Sequence, residues 1–344
     1  MAARAFITGL AGLSISAEER AFLREAQPWG LILFKRNVNT PAQITGLTDS
    51  FRATVGWEAP VFVDQEGGRV QRLGPPHWPS YPAGQRYGDL YDREPAAGIA
   101  AARLAAHLIA ADLRPLGIDA DCLPLADVPL VSSDPVIGDR AYGREPEKVA
   151  AIAKAIADGL LIGGVLPVLK HLPGHGRAGV DSHHKLPVVD TDPATLEAVD
   201  FAAFRPLAHL PIGMTAHVVF SAIDPVAPAT TSVTIVRQVI RGFIGFQGLL
   251  MSDDISMNAL SGTVAERSRA ALTAGCDVVL HCNGQMPEMQ SVAAEAPMLA
   301  GEALRRAAAA LASKKPPAPI EAGPSRAAFL KLMNGVWEPA QGHA

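Results

Sequence analysis

Residues 166–187 read LPVLKHLPGHGRAGVDSHHKLP. The first four are an apolar run, and the chain then passes at once to Lys170 and His171, followed by proline and glycine. A short apolar run bounded by turn residues reads as a buried strand. Here the strand delivers cationic and imidazole groups at its C-terminal end. The same pattern recurs along the chain, with candidate strands near Arg4 to Thr8, Gly30 to Lys35, Pro60 to Asp64, Ala120 to Asp127, Leu166 to Lys170, Gly213 to His217, Leu249 to Asp253 and Asp277 to Cys282. Most end on chemistry: Asp64-Gln65-Glu66, Asp127, Lys170-His171, His217, Ser252-Asp253-Asp254 and His281-Cys282-Asn283. Such strands alternating with longer helical patterns predict an α/β fold, a single (β/α)8 TIM-type barrel, with the active site where the C-terminal strand ends converge.

Helix starts support the alternation. Ser16 with Glu19 has capping-box spacing, Thr40-Pro41 puts proline at a first helical position, and Glu145-Pro146 and Asp192-Pro193 repeat that signal. From Pro95 to Leu113 an alanine-rich stretch carries Ala97, Ala101, Leu104, Ala105, Leu108 and Ala111 on one helical face. Gly74 to Gly84 reads as a loop over the barrel mouth, and one helix is expected from about Glu288 to Ser313. We expect residues 1–344 to form one barrel domain, with 315–344 a proline-rich C-terminal tail packed on it or trailing from it.

Composition narrows the function. Of 344 residues 49% are hydrophobic, enough for a substantial core, and 30 Lys plus Arg against 34 Asp plus Glu give a net charge of −4 with no long basic run. That excludes the electrostatic footprint of a nucleic-acid binder. The three cysteines, Cys122, Cys276 and Cys282, have no CxxC spacing and read as reduced core residues rather than a disulfide framework or zinc cluster. No uninterrupted apolar stretch reaches the roughly 18 residues that span a bilayer. One positive charge before Ala5 to Leu13, a stretch interrupted by two glycines, makes a poor signal peptide. A cytoplasmic protein is expected, acting as a monomer without nucleic acid, membrane or cofactor.

The segment from Lys170 to Pro187 holds four histidines, two lysines and an aspartate in eighteen residues. A merely solvated loop would account for this poorly, because such groups directly after a buried strand are costly unless used. A metal-dependent barrel hydrolase is one rival, since His171, His175, His183, His184, His217 and Asp253 include the ligand types zinc takes. Its spacing is poor: Pro173 and Gly174 between His171 and His175 bar a helix that would align both, and no HExxH occurs.

Several ordered segments together are more specific than any one. Gly30 to Phe34, Val63 to Arg72, Val136 to Arg140, Lys170 to Gly176, Asp181-Ser182-His183 and Ser252 to Met257 run nearly end to end. In these the chain resembles bacterial β-N-acetylglucosaminidases of glycoside hydrolase family 3, associated with recycling cell-wall muropeptides. The resemblance implies a retaining hydrolase that removes terminal β-linked N-acetylglucosamine from a muropeptide or chitobiose-like substrate. Asp253 matches the family's nucleophile, with Asp254 the local rival that could ligate or cap. His183 matches the acid/base, oriented by Asp181 two residues earlier. An aspartate on one imidazole nitrogen fixes the tautomer, and an imidazole's ordinary pKa of about 6.5 suits proton transfer near neutrality. Glu66 is the alternative acid. Asp64, Arg72, Arg140, Lys170 and His171 match sugar-binding positions, His175 and His217 read as supports, and His184 as solvated. Gly174, Gly176 and Gly179 suggest that the segment bearing Asp181 and His183 moves. Two further alternatives are a phosphorylase on the same scaffold, in which phosphate replaces water, and a non-catalytic sugar-binding barrel, disfavoured because nucleophile and dyad are both intact.

Overall fold

The structure is a computed structural model that describes residues 3–339. Eight strands form the barrel: β1 (Arg4–Thr8), β2 (Pro28–Leu33), β3 (Val61–Val63), β4 (Ala120–Asp121), β5 (Leu166–Leu172), β6 (Ile212–Thr215), β7 (Leu249–Asp254) and β8 (Val278–His281). Every neighbouring pair is parallel, and β1 bonds to both β2 and β8, which closes the sheet. All eight expected strands are present. The largest difference is at β4, expected to reach Asp127. The regular ladder stops at Asp121 because the Leu123 N–H turns back to the Asp121 carbonyl and shifts the register; beyond it Val168 and Lys170 N–H donate to the Leu123 and Pro124 carbonyls, and a single bridge joins Leu125 to Lys170.

A closed parallel barrel buries both strand faces. Ile7, Ile32, Phe62, Cys122, Val168, Met214, Met251 and Leu280 fill the interior, whereas Leu31, Leu33, Val61, Val63, Leu169, Leu250 and Val279 face the surrounding helices. This two-residue alternation is the pleat of a strand. The helix Gly301–Ala312 closes the N-terminal end of the barrel, with Leu299, Ala307 and Ala310 packed into the interior cluster. Lys314 reaches Asp119 ahead of β4 (2.6 Å), and Arg306 reaches Asp277 ahead of β8 (3.0 Å). With that end plugged, the strands' C-terminal ends are left to form the site.

The capping box of Ser16 and Glu19 opens the helix Ala17–Ala26, and Thr40 caps Pro41–Val55. The helix Pro95–Leu113 has the expected bounds and packs on Pro146–Ile162 so closely that a Cβ at Gly159 would lie 2.3 Å from the Arg103 carbonyl. Counted to Leu116, this helix is long and apolar enough to cross a membrane, but half of its most apolar stretch is buried against other parts of the protein.

Two expectations need correction. The helix expected from Glu288 to Ser313 is two helices, Met286–Glu295 and Gly301–Ala312. Pro297 lies between them, and its flanks turn to bond the first strand: Ala5 N–H donates to the Pro297 carbonyl and Leu299 N–H to that of Ala3. The expected tail contains a helix, Ala322–Leu332, which buries Phe329 against the core and docks on Pro95–Leu113. Arg326 pairs with Asp112, which also accepts from the Tyr81 hydroxyl at 2.7 Å. Pro324 is tolerated because it falls in the first helical turn, where its missing N–H has no intrahelical partner to lose. Residues 340–344 of the expected tail lie outside the described residues.

Candidate active site

Beyond β3 the chain folds into a two-stranded antiparallel ribbon, Gln65–Gly67 against Val70–Gln71. Gly67 and Gly68 turn it at φ 97° and 56°, the left-handed region that glycine enters freely. Gln65 fixes its closure, accepting from the Arg72 and Leu73 N–H groups and donating to the Leu73 carbonyl. Arg72 is thereby brought back over Asp64, with 2.8 Å between guanidinium and carboxylate.

From that pair runs a buried ladder of charge. Lys170 Nζ, at the end of β5, bonds Asp64 at 3.0 Å and Glu66 at 2.6 Å, and Arg140 clasps Glu66 through two 2.8 Å bonds. Burial alone would raise both carboxyls. Arg140 and Lys170 bring Glu66 down to about 2, and Lys170 and Arg72 hold Asp64 lower still. Glu66 is therefore held as a carboxylate between two cations at neutral pH. Beneath them Asp121, fully buried with one carboxylate oxygen unpartnered, is pushed up to about 8 by desolvation.

His171 Nδ1 lies 2.7 Å from Asp127. Since a carboxylate only accepts, Nδ1 carries the hydrogen and Nε2 is left for a ligand. The other Asp127 oxygen takes the His175 backbone N–H at 2.6 Å. Farther along, Asp181 accepts from both the His183 N–H (2.8 Å) and Nδ1 (2.7 Å), in a turn where the His183 side chain is 60% exposed. His184 is 81% exposed and does not line the cavity described below, in keeping with a solvated residue.

Asp253, at the end of β7, accepts one hydrogen bond, from the Asp254 N–H at 2.7 Å, and has no ion pair among the described residues. Burial works to raise its carboxyl, but His217, His171, that N–H and His183 together hold it below the ordinary carboxylate value. His217 itself is set by Thr230 and the Asp254 carbonyl. Asp254 is used up in the fold: its carboxylate takes the Ser256 N–H and hydroxyl and the Cys282 N–H.

All these strand ends open on one cavity of about 510 Å³. Asp64, Arg72, Arg140, Lys170, His171, Asp181, His183 and Asp253 all line it, so the structure brings together the residues expected to carry catalysis and sugar binding, while Glu66, His184 and His217 are not in its lining. Sequence reasoning missed three features. Phe34 lies under the Arg36 and Arg72 guanidiniums, at 5.0 and 5.1 Å from the ring centre. Asp127, noted as a strand end, is the partner of His171. Ser182 is buried and bonded to His175. Only the aromatic residue directly after β2 offered a signal for the first, and nothing in the sequence marked the others as partners.

Comparison with known proteins gives a consistent result. The description "Glycosyl hydrolase family 3 N terminal domain" matches residues 5–309. A beta-hexosaminidase of Alkalilimnicola ehrlichii is 41% identical over 279 residues, 80% of this chain and 79% of that protein. One from Bordetella avium is 38% identical over 278 residues, again 80% of this chain and 79% of that protein. Among solved structures, NagZ from Neisseria gonorrhoeae in complex with N-trifluoroacetyl-D-glucosamine superposes with a TM-score of 0.84 at 30% identity, covering 98% of this chain and 97% of that one.

Proposed function

The chain belongs to glycosyl hydrolase family 3, and from that premise we propose that it is a retaining exo-β-N-acetylglucosaminidase acting through a glycosyl-Asp253 intermediate, with His183 as acid and base. One observation carries the proposal: Asp253, a cavity carboxylate with no ion pair among the described residues and, unlike Asp254, only one hydrogen bond to the fold, shares its cavity with an imidazole whose Nδ1 is already held by Asp181. Asp253 is low enough in pKa to be a carboxylate nucleophile. In the first step its oxygen bonds the anomeric carbon while His183 Nε2 gives its proton to the departing glycosidic oxygen. In the second step the neutral imidazole takes a proton from water, the water oxygen bonds the anomeric carbon, and Asp253 leaves. Two displacements retain the configuration.

Asp64, Arg72, Lys170, His171 and Arg140 would hold the terminal sugar, the carboxylate accepting from hydroxyls and the cations and His171 donating to oxygens. The names of the relatives, and the N-trifluoroacetyl-D-glucosamine in the NagZ structure, support a terminal N-acetylglucosamine. We take the substrate to be a muropeptide fragment or a chitobiose-like glycan, cleaved in the cytoplasm by a monomer. Neutral imidazole also repels an incoming phosphate dianion less than a carboxylate base would. The assay that tests hydrolysis is thus release of N-acetylglucosamine from a β-linked chromogenic substrate with and without phosphate, and a sugar phosphate as the main product would turn the proposal to a phosphorylase. The acid role is tested with His183→Ala. It should cripple cleavage of a natural sugar leaving group far more than the first step on an activated aryl glycoside, which departs largely unaided, and Asp181→Ala should show a milder version. Equal losses on both substrates would remove His183 from the acid role.

A further inference from the structure

The Asp181–His183 turn is held to the barrel by very little. Its foundation is firm up to Ala178. The His175 N–H is bound by Asp127, Gly176 is pressed on the Val128 backbone so that a Cβ would fall 2.2 Å from the Val128 carbonyl oxygen, Arg177 pairs with Asp200 at 2.6 Å, and the Ala178 carbonyl takes the Asp134 N–H. Beyond that the packing ends. A Cβ on Gly179 would meet nothing within 4 Å. From Gly179 to Leu186 the one buried residue is Ser182.

The remaining bonds of the turn are internal: His184 and Lys185 N–H donate to the Asp181 carbonyl, and the Asp181 carboxylate takes both His183 donors. These shape the dyad but do not aim it. Ser182 Oγ, between the two dyad residues, lies 2.9 Å from His175 Nε2. His175 Nδ1 is buried with no partner, so Ser182 is that ring's one hydrogen-bond partner among the described residues. Burial, then the neighbouring His171, lowers His175 to about 4, so a neutral ring meets the hydroxyl. Asp127 connects the two ends, with one oxygen on the His171 ring that lines the cavity and the other on the His175 backbone.

We propose that the Ser182–His175 hydrogen bond is the latch that aims the Asp181–His183 dyad at the bond being cleaved, which makes Ser182 and His175 positioning residues for proton transfer. The proposal rests on His183 being the acid and base. Without the latch the turn keeps its internal shape and loses its bearing on Asp253, so protonation of the leaving group suffers while sugar binding does not.

The test compares Ser182→Ala, Ser182→Thr and His183→Ala in the full chain, on a chitobiose-type substrate with a poor leaving group and on an activated aryl glycoside. Ser182→Ala should lower kcat on the poor leaving group by about 10–100-fold, part of what a positioned acid contributes and of what a misplacement near 1 Å costs. KM and the first step on the aryl glycoside should change by less than about 3-fold, because only the transition state uses the proton. Ser182→Thr, which keeps the hydroxyl, should recover most of the loss. Amide hydrogen exchange in 179–186 should quicken in Ser182→Ala with the strand amides unchanged, which shows that the barrel is folded. Loss on the poor leaving group confined to His183→Ala, or equal losses on both substrates for Ser182→Ala, would refute the latch and leave the acid assignment standing. A His183→Ala enzyme with no leaving-group preference would overturn the acid assignment and the latch with it.

Discussion

Replacing Glu66 by glutamine tests the charge ladder and the identity of the acid together. The carboxylate is 5% exposed and bridges Lys170 and Arg140. In the variant Lys170 keeps Asp64, but Arg140 loses its carboxylate, and an amide N–H2 faces donors. Lowering this carboxyl from 4.5 to about 2 corresponds to about 3 kcal/mol, at roughly 1.4 kcal/mol per pH unit. Removing one partner of a buried ion pair costs about 3–5 kcal/mol by measurement elsewhere. The two agree, so Glu66→Gln should lose about 3 kcal/mol at pH 7 and, with an unfolding entropy of roughly 0.7 kcal/mol/K for 344 residues, melt about 4 °C lower. The sign of the pH dependence follows from the depressed value. The stabilisation is complete above the unfolded carboxyl's ordinary pKa and is lost as pH falls towards 2, with roughly 60% of it gone by pH 3. Denaturant unfolding of both proteins at pH 7, 5, 4 and 3 should show the gap closing. Because Glu66 holds no proton to give, its loss should also impair good and poor leaving groups alike. A stability gap that stays constant with pH, or activity lost selectively on poor leaving groups, would refute the assignment of Glu66 as an ionised scaffold group.

Asp253→Ala should abolish turnover and leave the melting temperature within a few degrees, and a slow fluorinated sugar should label Asp253; a label on another carboxylate overturns the nucleophile assignment. Asp254→Ala should retain more turnover but lose stability of about 1–3 kcal/mol, since it strips buried partners from the Ser256 and Cys282 N–H groups; calorimetry beside a kinetic assay checks both. Activity should survive a chelator unchanged, because an aspartate nucleophile and a histidine acid need no ion to stabilise charge; loss restored by zinc would revive the metal-dependent hydrolase.

The barrel was legible because its strands are buried on both faces. Val168, Leu169, Leu249, Leu250 and Met251 are all fully or almost fully buried, so each strand reads as an unbroken apolar run rather than an alternation. The same signal misled at β4. Cys122, Leu123, Leu125 and Ala126 are as buried as any strand residue, yet they lie beyond the last regular pair of the ladder with their bonds to neighbouring strands out of register, and composition reports burial rather than regular pairing. The C-terminal helix was hidden by proline. Pro316, Pro317 and Pro319 do lie in irregular chain, while Pro324 lies in a first helical turn, and the difference depends on where the helix docks.

Within the site, legibility followed sequence distance. Asp181 and His183, two residues apart, were read as a pair, and the 2.7 Å bond is there. Glu66 and Arg140 are 74 residues apart, and Asp64 and Lys170 are 106 apart. Motifs could name each of these residues but not that they neutralise one another, and that determines what each can do. Glu66 and Asp121 are both buried carboxyls near the end of the barrel. Asp121 accepts one backbone N–H and is pushed up to about 8, and Glu66, held by two cations, falls to about 2. Desolvation acts in the same direction on both, so the opposite outcomes come from partners supplied by distant segments. Whether a carboxyl can serve as an acid is therefore set by the fold around it: the cations around Glu66 favour its carboxylate form, which is why the proposed mechanism assigns the proton to the imidazole of the exposed turn.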